Sequence, residues 1–77
     1  MGETMLRVAN VMNEAALESV RDALDLLDMY YEHVRSEPDE DTFPQTAYFY
    51  VPYSFADDVD NAMQRLAEEH GFEAEVL

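Results

Sequence analysis

The sequence predicts a small two-layer α/β sandwich in the order β-α-β-α-β, with a three-stranded sheet and both helices on one face. Three observations predict it. A 3-4-3-4-3 run of apolar residues marks a long first helix. An aromatic and β-branched segment stopped by Pro52 marks a central strand. Alternating segments at both ends of the chain read as flanking strands.

The first strand lies in "TMLRVANVM", where Leu6 and Val8 alternate with Arg7 and Ala9. Asn13 then serves as the N-cap of a helix beginning at Glu14. Leu17, Val20, Leu24, Leu27, Tyr31 and Val34 form one stripe, so this helix is expected to span 14–35, ended by Pro38 and the acidic "SEPDED". The ten residues 36–45 are too few and too acidic for a strand, so they read as a loop. "TAYFYVPY" supplies the strand 46–51, with Ala47, Phe49 and Val51 towards the helices.

Ser54, with Asp57 three residues on, has the spacing of an acidic capping box. Phe55, Val59, Ala62, Met63 and Leu66 trace the second helix to about His70, with Gly71 as its natural C′ residue. "FEAEVL" ends the chain as a half-buried strand, with Phe72, Ala74 and Val76 inward and Glu73 and Glu75 outward. The 77 residues form one domain, without repeats. The order resembles a ferredoxin-like fold lacking one strand, an analogy of architecture that does not specify function.

Charge is the strongest compositional signal. Eighteen Asp and Glu face four Arg and no Lys, a formal net charge of -14. With 48% hydrophobic and 12% aromatic residues, the chain is too apolar for a disordered acidic tail. Cysteine is absent, which excludes disulfides and thiolate metal sites and fits an intracellular protein. No apolar run reaches the roughly 18–20 residues of a membrane span. "MGETMLRVAN" lacks the regions of a signal peptide, and Leu6 stands where a myristoylation signal wants Ser or Thr. The expected location is therefore cytoplasmic, the host's cytoplasm if the chain is phage-encoded. The joint absence of Lys and Ile suggests a GC-rich genome, whether of a haloarchaeon or of a phage.

The candidate binding residues follow from this charge. Glu18, Asp25 and Glu32 recur every seven residues with Asp22 and Asp28 between them, which on a continuous helix puts five carboxylates opposite the apolar stripe. Glu37, Asp39, Glu40 and Asp41 extend the negative surface into the loop. Such a row offers a nucleic-acid-binding protein the charge that phosphates would, while a plain solvated face is the alternative. If Ala47, Phe49 and Val51 face the helices, Tyr48 and Tyr50 point to the open side of the sheet, with Tyr53 following. Exposed tyrosines suit a protein interface or a homodimer surface; the alternative is that this strand face is core, with the hydroxyls reaching solvent at the edge. Direct nucleic-acid binding is disfavoured by the charge.

Catalysis and metal binding find little footing. Ser19 and Ser36 have no nucleophile context, and the only glycines, Gly2 and Gly71, exclude a phosphate loop. His33 and His70 have no second His or Cys at ligand spacing, although Glu37 stands four residues after His33. "DEDTF" lacks the Gly and terminal Glu of a calcium loop. No cofactor and no metal are expected.

The expected function is a non-enzymatic inhibitor that mimics nucleic acid towards the basic surface of a nucleic-acid-binding enzyme or CRISPR effector. Small acidic phage anti-defence proteins are similar in size and charge. The alternatives are a small halophilic cytosolic protein and a dimeric ferredoxin-like regulatory or ligand-binding domain.

Overall fold

The computed structural model describes residues 2–77. The strand β1 (Glu3–Val11) is followed by the helix α1 (Glu14–Leu26), the strands β2 (Glu32–Glu37) and β3 (Gln45–Pro52), a 3₁₀ turn at Tyr53–Phe55, the helix α2 (Ala56–His70) and the strand β4 (Glu73–Val76). The sheet order is β2-β3-β1-β4 with every neighbouring pair antiparallel. The two-layer prediction holds, and the sheet has four strands rather than three, the complete ferredoxin-like order.

The extra strand comes from the expected long helix. A 22-residue helix over 14–35 would be about 33 Å long at 1.5 Å per residue. An eight-residue strand spans only about 27 Å, so about the last turn would have had no sheet beneath it. Instead α1 stops at Leu26, and Asp28 turns the chain in the left-handed region at φ 55°. After the irregular segment through Tyr31, the chain enters β2, which pairs with β3 and includes the β-branched Val34. Pro38 ends this strand, not a helix.

Asn13 caps α1 as expected, its Oδ1 accepting from the Ala16 N–H at 2.9 Å. Ser54 does not cap α2. It sits inside the 3₁₀ turn, Phe55 occupies the capping position without a side-chain hydrogen bond, and the Ala56 N–H is satisfied by the Tyr53 carbonyl. Gly71 closes α2 in the left-handed conformation at φ 75°, its N–H bonded to the Ala67 carbonyl.

One core lies between the sheet and the two helices. Leu6, Val8 and Val11 of β1, Ala47, Phe49 and Val51 of β3, and Phe72 meet Leu17, Val20 and Leu24 of α1 and Val59 and Met63 of α2. An irregularity between Val8 and Val11, with Asn10 at φ 63°, keeps Val11 on the inner face although three positions separate it from Val8. Glu73 and Glu75 point outward from β4 and Phe72 is buried, as the alternation predicts.

No described helix is long and apolar enough to cross a membrane.

Candidate functional site: the open sheet face and its acidic surroundings

With both helices on one side, the other side of the sheet is uncovered. Register puts Met5 beside Tyr50 and Arg7 beside Tyr48 across β1 and β3, then Glu32 beside Tyr50 and Arg35 beside Tyr48 across β3 and β2. Ala47, Phe49 and Val51 are buried while Tyr48 and Tyr50 lie on the open face, as the alternation predicts. Arg35 lies over the Tyr48 ring with its guanidinium carbon 4.6 Å from the centroid. Its Nε is 3.4 Å from Glu37, which also accepts from the Tyr48 hydroxyl at 3.3 Å. Arg7 faces Glu75 across β4 at 3.9 Å. Two of the four arginines thus stand among tyrosines and carboxylates on one face. Cation, ring and anion alternate there.

The acidic residues do not form the single helix face that the long helix implied. Glu18, Asp22 and Asp25 share the exposed side of α1, with Glu18 3.5 Å from Arg21. Asp28 lies in the turn after α1. Glu32 and Glu37 belong to β2 and join Tyr48 and Tyr50 on the open sheet face. Asp39, Glu40 and Asp41 occupy the β2–β3 loop, and Tyr53 follows β3 in the 3₁₀ turn. In that loop the Asp39 carboxylate accepts from the Asp41 N–H at 2.9 Å and the Thr42 hydroxyl at 3.1 Å. These bonds, the Thr42 hydroxyl first, hold its pKa below the ordinary aspartate value. The predicted stripe is therefore divided among four regions: α1, the turn after it, the open sheet face and the β2–β3 loop.

His33 shows the same displacement. It is not helical, so its helical pairing with Glu37 does not form. It lies on β2, its ring 4.6 Å from that of Phe49 and nearly parallel to it. Nδ1 is 2.9 Å from the Arg21 guanidinium, and Nε2 is 2.9 Å from the Ser36 hydroxyl. A Ser–His pair invites a catalytic reading, and the third partner rules it out. Arg21 only donates, so Nδ1 must accept and Nε2 must carry the proton. Nε2 therefore donates to Ser36 and cannot act as the base that withdraws its proton. Sequence spacing gave no sign of this cluster, because Arg21 and His33 meet only once the chain turns at Asp28. No group of three or more His, Asp or Glu side chains among the described residues is placed to hold a metal.

The cluster has a pH consequence. Burial, and then the Arg21 charge, hold the His33 pKa below its ordinary 6.5, while Glu40 opposes weakly. The native state favours neutral imidazole, so the unfolded chain binds the extra proton first. Stability is present above the ordinary histidine pKa and is lost as the pH falls through about 6.5 towards the lower native value. Urea midpoints from pH 7.5 to 5.5 should decline in the native protein. H33F keeps the ring but not the titration, and should show a shallower decline. Equal slopes would remove His33 from the account.

No protein-family model matches the sequence, and no curated protein matches it. Among solved structures, the chain is similar in fold to the ligand-free regulatory subunit of aspartate kinase from Thermus thermophilus. The TM-score is 0.79 at 18% sequence identity, over 97% of this chain and 50% of that one. This chain thus spans about half the length of the regulatory subunit, and the likeness is one of fold.

Proposed function

We propose that this protein is a non-catalytic regulatory module that pairs with a second copy through the open sheet face and responds to a small ligand. The observation that carries the reading is that face: an uncovered sheet with Tyr48 and Tyr50 at its centre and arginines set among carboxylates. The likeness in fold to a regulatory subunit supports it, and two copies of this chain would match that subunit's length. The disposition of charge supports it as well. Arg7 and Arg35 offset the carboxylates on the sheet, whereas the outer side of α1 would meet its own repulsion in a pair. Four strands at about 4.8 Å spacing and about 25 Å of length give roughly 500 Å² in plan. That approaches the roughly 800 Å² per partner of a standard interface, so a dimer with a dissociation constant on the order of micromolar is expected.

Sedimentation in about 0.15 M salt should give twice the 8.9 kDa chain mass. Replacing Tyr48 and Tyr50 together by Asp should give a folded monomer. Thermal melting against a panel of free amino acids, the chemistry suggested by the neighbour's enzyme, should reveal a stabilising ligand. A native protein that stays monomeric at about 100 μM, or one that no member of the panel stabilises, overturns the reading. A chain that folds only in molar salt would assign the charge to halophilic surroundings. Retention of a nucleic-acid enzyme from lysate by the α1 carboxylates would favour the nucleic-acid mimic instead.

A further inference from the structure

The antiparallel order brings the start of β1, the ends of β3 and β4 and the start of β2 to one end of the sheet. The last turn of α1 and the first turn of α2 reach the same end, because α1 leads to β2 and α2 leaves β3 there. Of the six large apolar side chains left exposed among the described residues, four lie at this end, while Met12 follows β1 at the opposite end and Tyr50 lies on the open face. Leu26 is 86% exposed, Tyr30 73%, Tyr53 63% and Leu77 61%. Backbone bonds hold the arrangement together, from the Tyr53 N–H to the Gly2 carbonyl at 3.0 Å and from the Leu77 N–H to the Met5 carbonyl at 2.9 Å. Between α2 and the end of β4 lies an open cavity of about 360 Å³, lined by Tyr53, Ala56, Asp57, Asp60, Val76 and Leu77.

Exposed apolar groups of this size, clustered at one end of a chain this acidic, mark a binding surface rather than scattered surface residues. We propose that this end docks a basic amphipathic segment of a partner protein, whose apolar side chains enter the cavity between Tyr53 and Leu77 and whose Lys or Arg groups meet Asp57 and Asp60. Charge selects the occupant. No arginine or histidine lines the cavity, and Asp25 and Asp28 are close to Leu26 and Tyr30 in the chain at the same end. A second copy would set these carboxylates against their equivalents with no interleaved arginine, unlike the open sheet face. A nucleic acid would add phosphates to them. The docking end is separate from the pairing face, so it stands whether or not the module forms dimers.

The test uses a fluorescein-labelled peptide with Leu and Lys at amphipathic helical spacing, and a second peptide of equal charge with Ser in place of Leu. Fluorescence anisotropy in about 0.15 M salt should show the Leu peptide binding at least about tenfold more tightly than the Ser peptide. Replacing Tyr53 and Leu77 together by Ser should cost about tenfold. D57N with D60N should weaken binding and flatten its salt dependence. E68Q with E69Q, further along α2, removes the same charge elsewhere and should stay within about twofold of the native affinity. Circular dichroism confirms that each variant folds. Equal affinity for the two peptides, an unchanged Tyr53 and Leu77 variant, or equal losses in the two acid pairs would each reduce the effect to general attraction by an acidic protein and overturn the proposal.

Discussion

F49A is expected to be strongly destabilising, lowering the urea midpoint of the domain far below that of the native protein. Phe49 is fully buried in β3, paired with Leu6 on one side and His33 on the other. Its ring lies against the His33 ring at 4.6 Å and tilts towards Tyr31 at 6.2 Å. Truncation removes the transfer energy of the ring and opens a void that the central strands cannot close, together about 3–5 kcal/mol. At roughly 0.05–0.15 kcal/mol per residue the whole domain holds only about 4–12 kcal/mol, so a large share of its stability disappears. The neighbouring Y50A is the control. Tyr50 is 37% exposed on the uncovered face, and in dilute monomer its loss should cost under about 1 kcal/mol. Urea denaturation followed by circular dichroism separates the two. Comparable losses would mean that both faces of the sheet are packed in the monomer.

The contrast between Phe49 and Tyr50 was legible in the sequence because a strand's two-residue period assigns faces without reference to its partners. The same holds for "FEAEVL" and for the Asn13 cap, which depend on local geometry alone. The 3-4-3-4-3 stripe misled for a definite reason. Leu17, Val20 and Leu24 are core residues of α1, but Leu27, Tyr31 and Val34 keep the spacing while leaving the helix. A period cannot report that a helix would outgrow its sheet, nor that Asp28 adopts a left-handed turn. The sheet gains an edge strand and covers Phe49, and those tertiary gains outweigh the local pattern. Composition pointed the same way, since "MYYEHV" is richer in aromatic and β-branched residues than a helix prefers.

The candidate sites were legible to different depths. Tyr48 and Tyr50 follow from alternation, so the open face was visible as soon as two helices had to share one side. The acidic stripe inherited the error in helix length and separated into α1, turn, sheet and loop. The gathering of Leu26, Tyr30, Tyr53 and Leu77 at one end is purely topological, because it depends on where four strands start and stop. The Arg21–His33–Ser36 cluster is of the same kind.

Gln45 carries the second large prediction. It is 2% exposed at the start of β3, and its Nε2 donates to the carbonyls of Asp39, Glu40 and Thr42 at 3.1, 3.1 and 2.9 Å. Two protons serve three acceptors, so the amide nitrogen must face the loop and the Oε1 faces the interior without a partner. One side chain thereby gathers the β2–β3 loop, whose own side chains are acidic and repel one another. Q45E keeps the shape and replaces the donor by a second acceptor. At neutral pH a carboxylate would face three carbonyls from a buried position, and a loss of about 3–5 kcal/mol is expected. Q45L should cost less, about 1–2 kcal/mol, because the exposed loop can turn its carbonyls to water while the unpaired Oε1 is removed. Measured against the native protein at each pH, Q45E should recover part of its deficit near pH 4.5, where a protonated carboxyl can donate again to one carbonyl. The ordering distinguishes a donor requirement from simple packing. If Q45L is the more damaging variant at pH 7, volume rather than hydrogen bonding holds the loop.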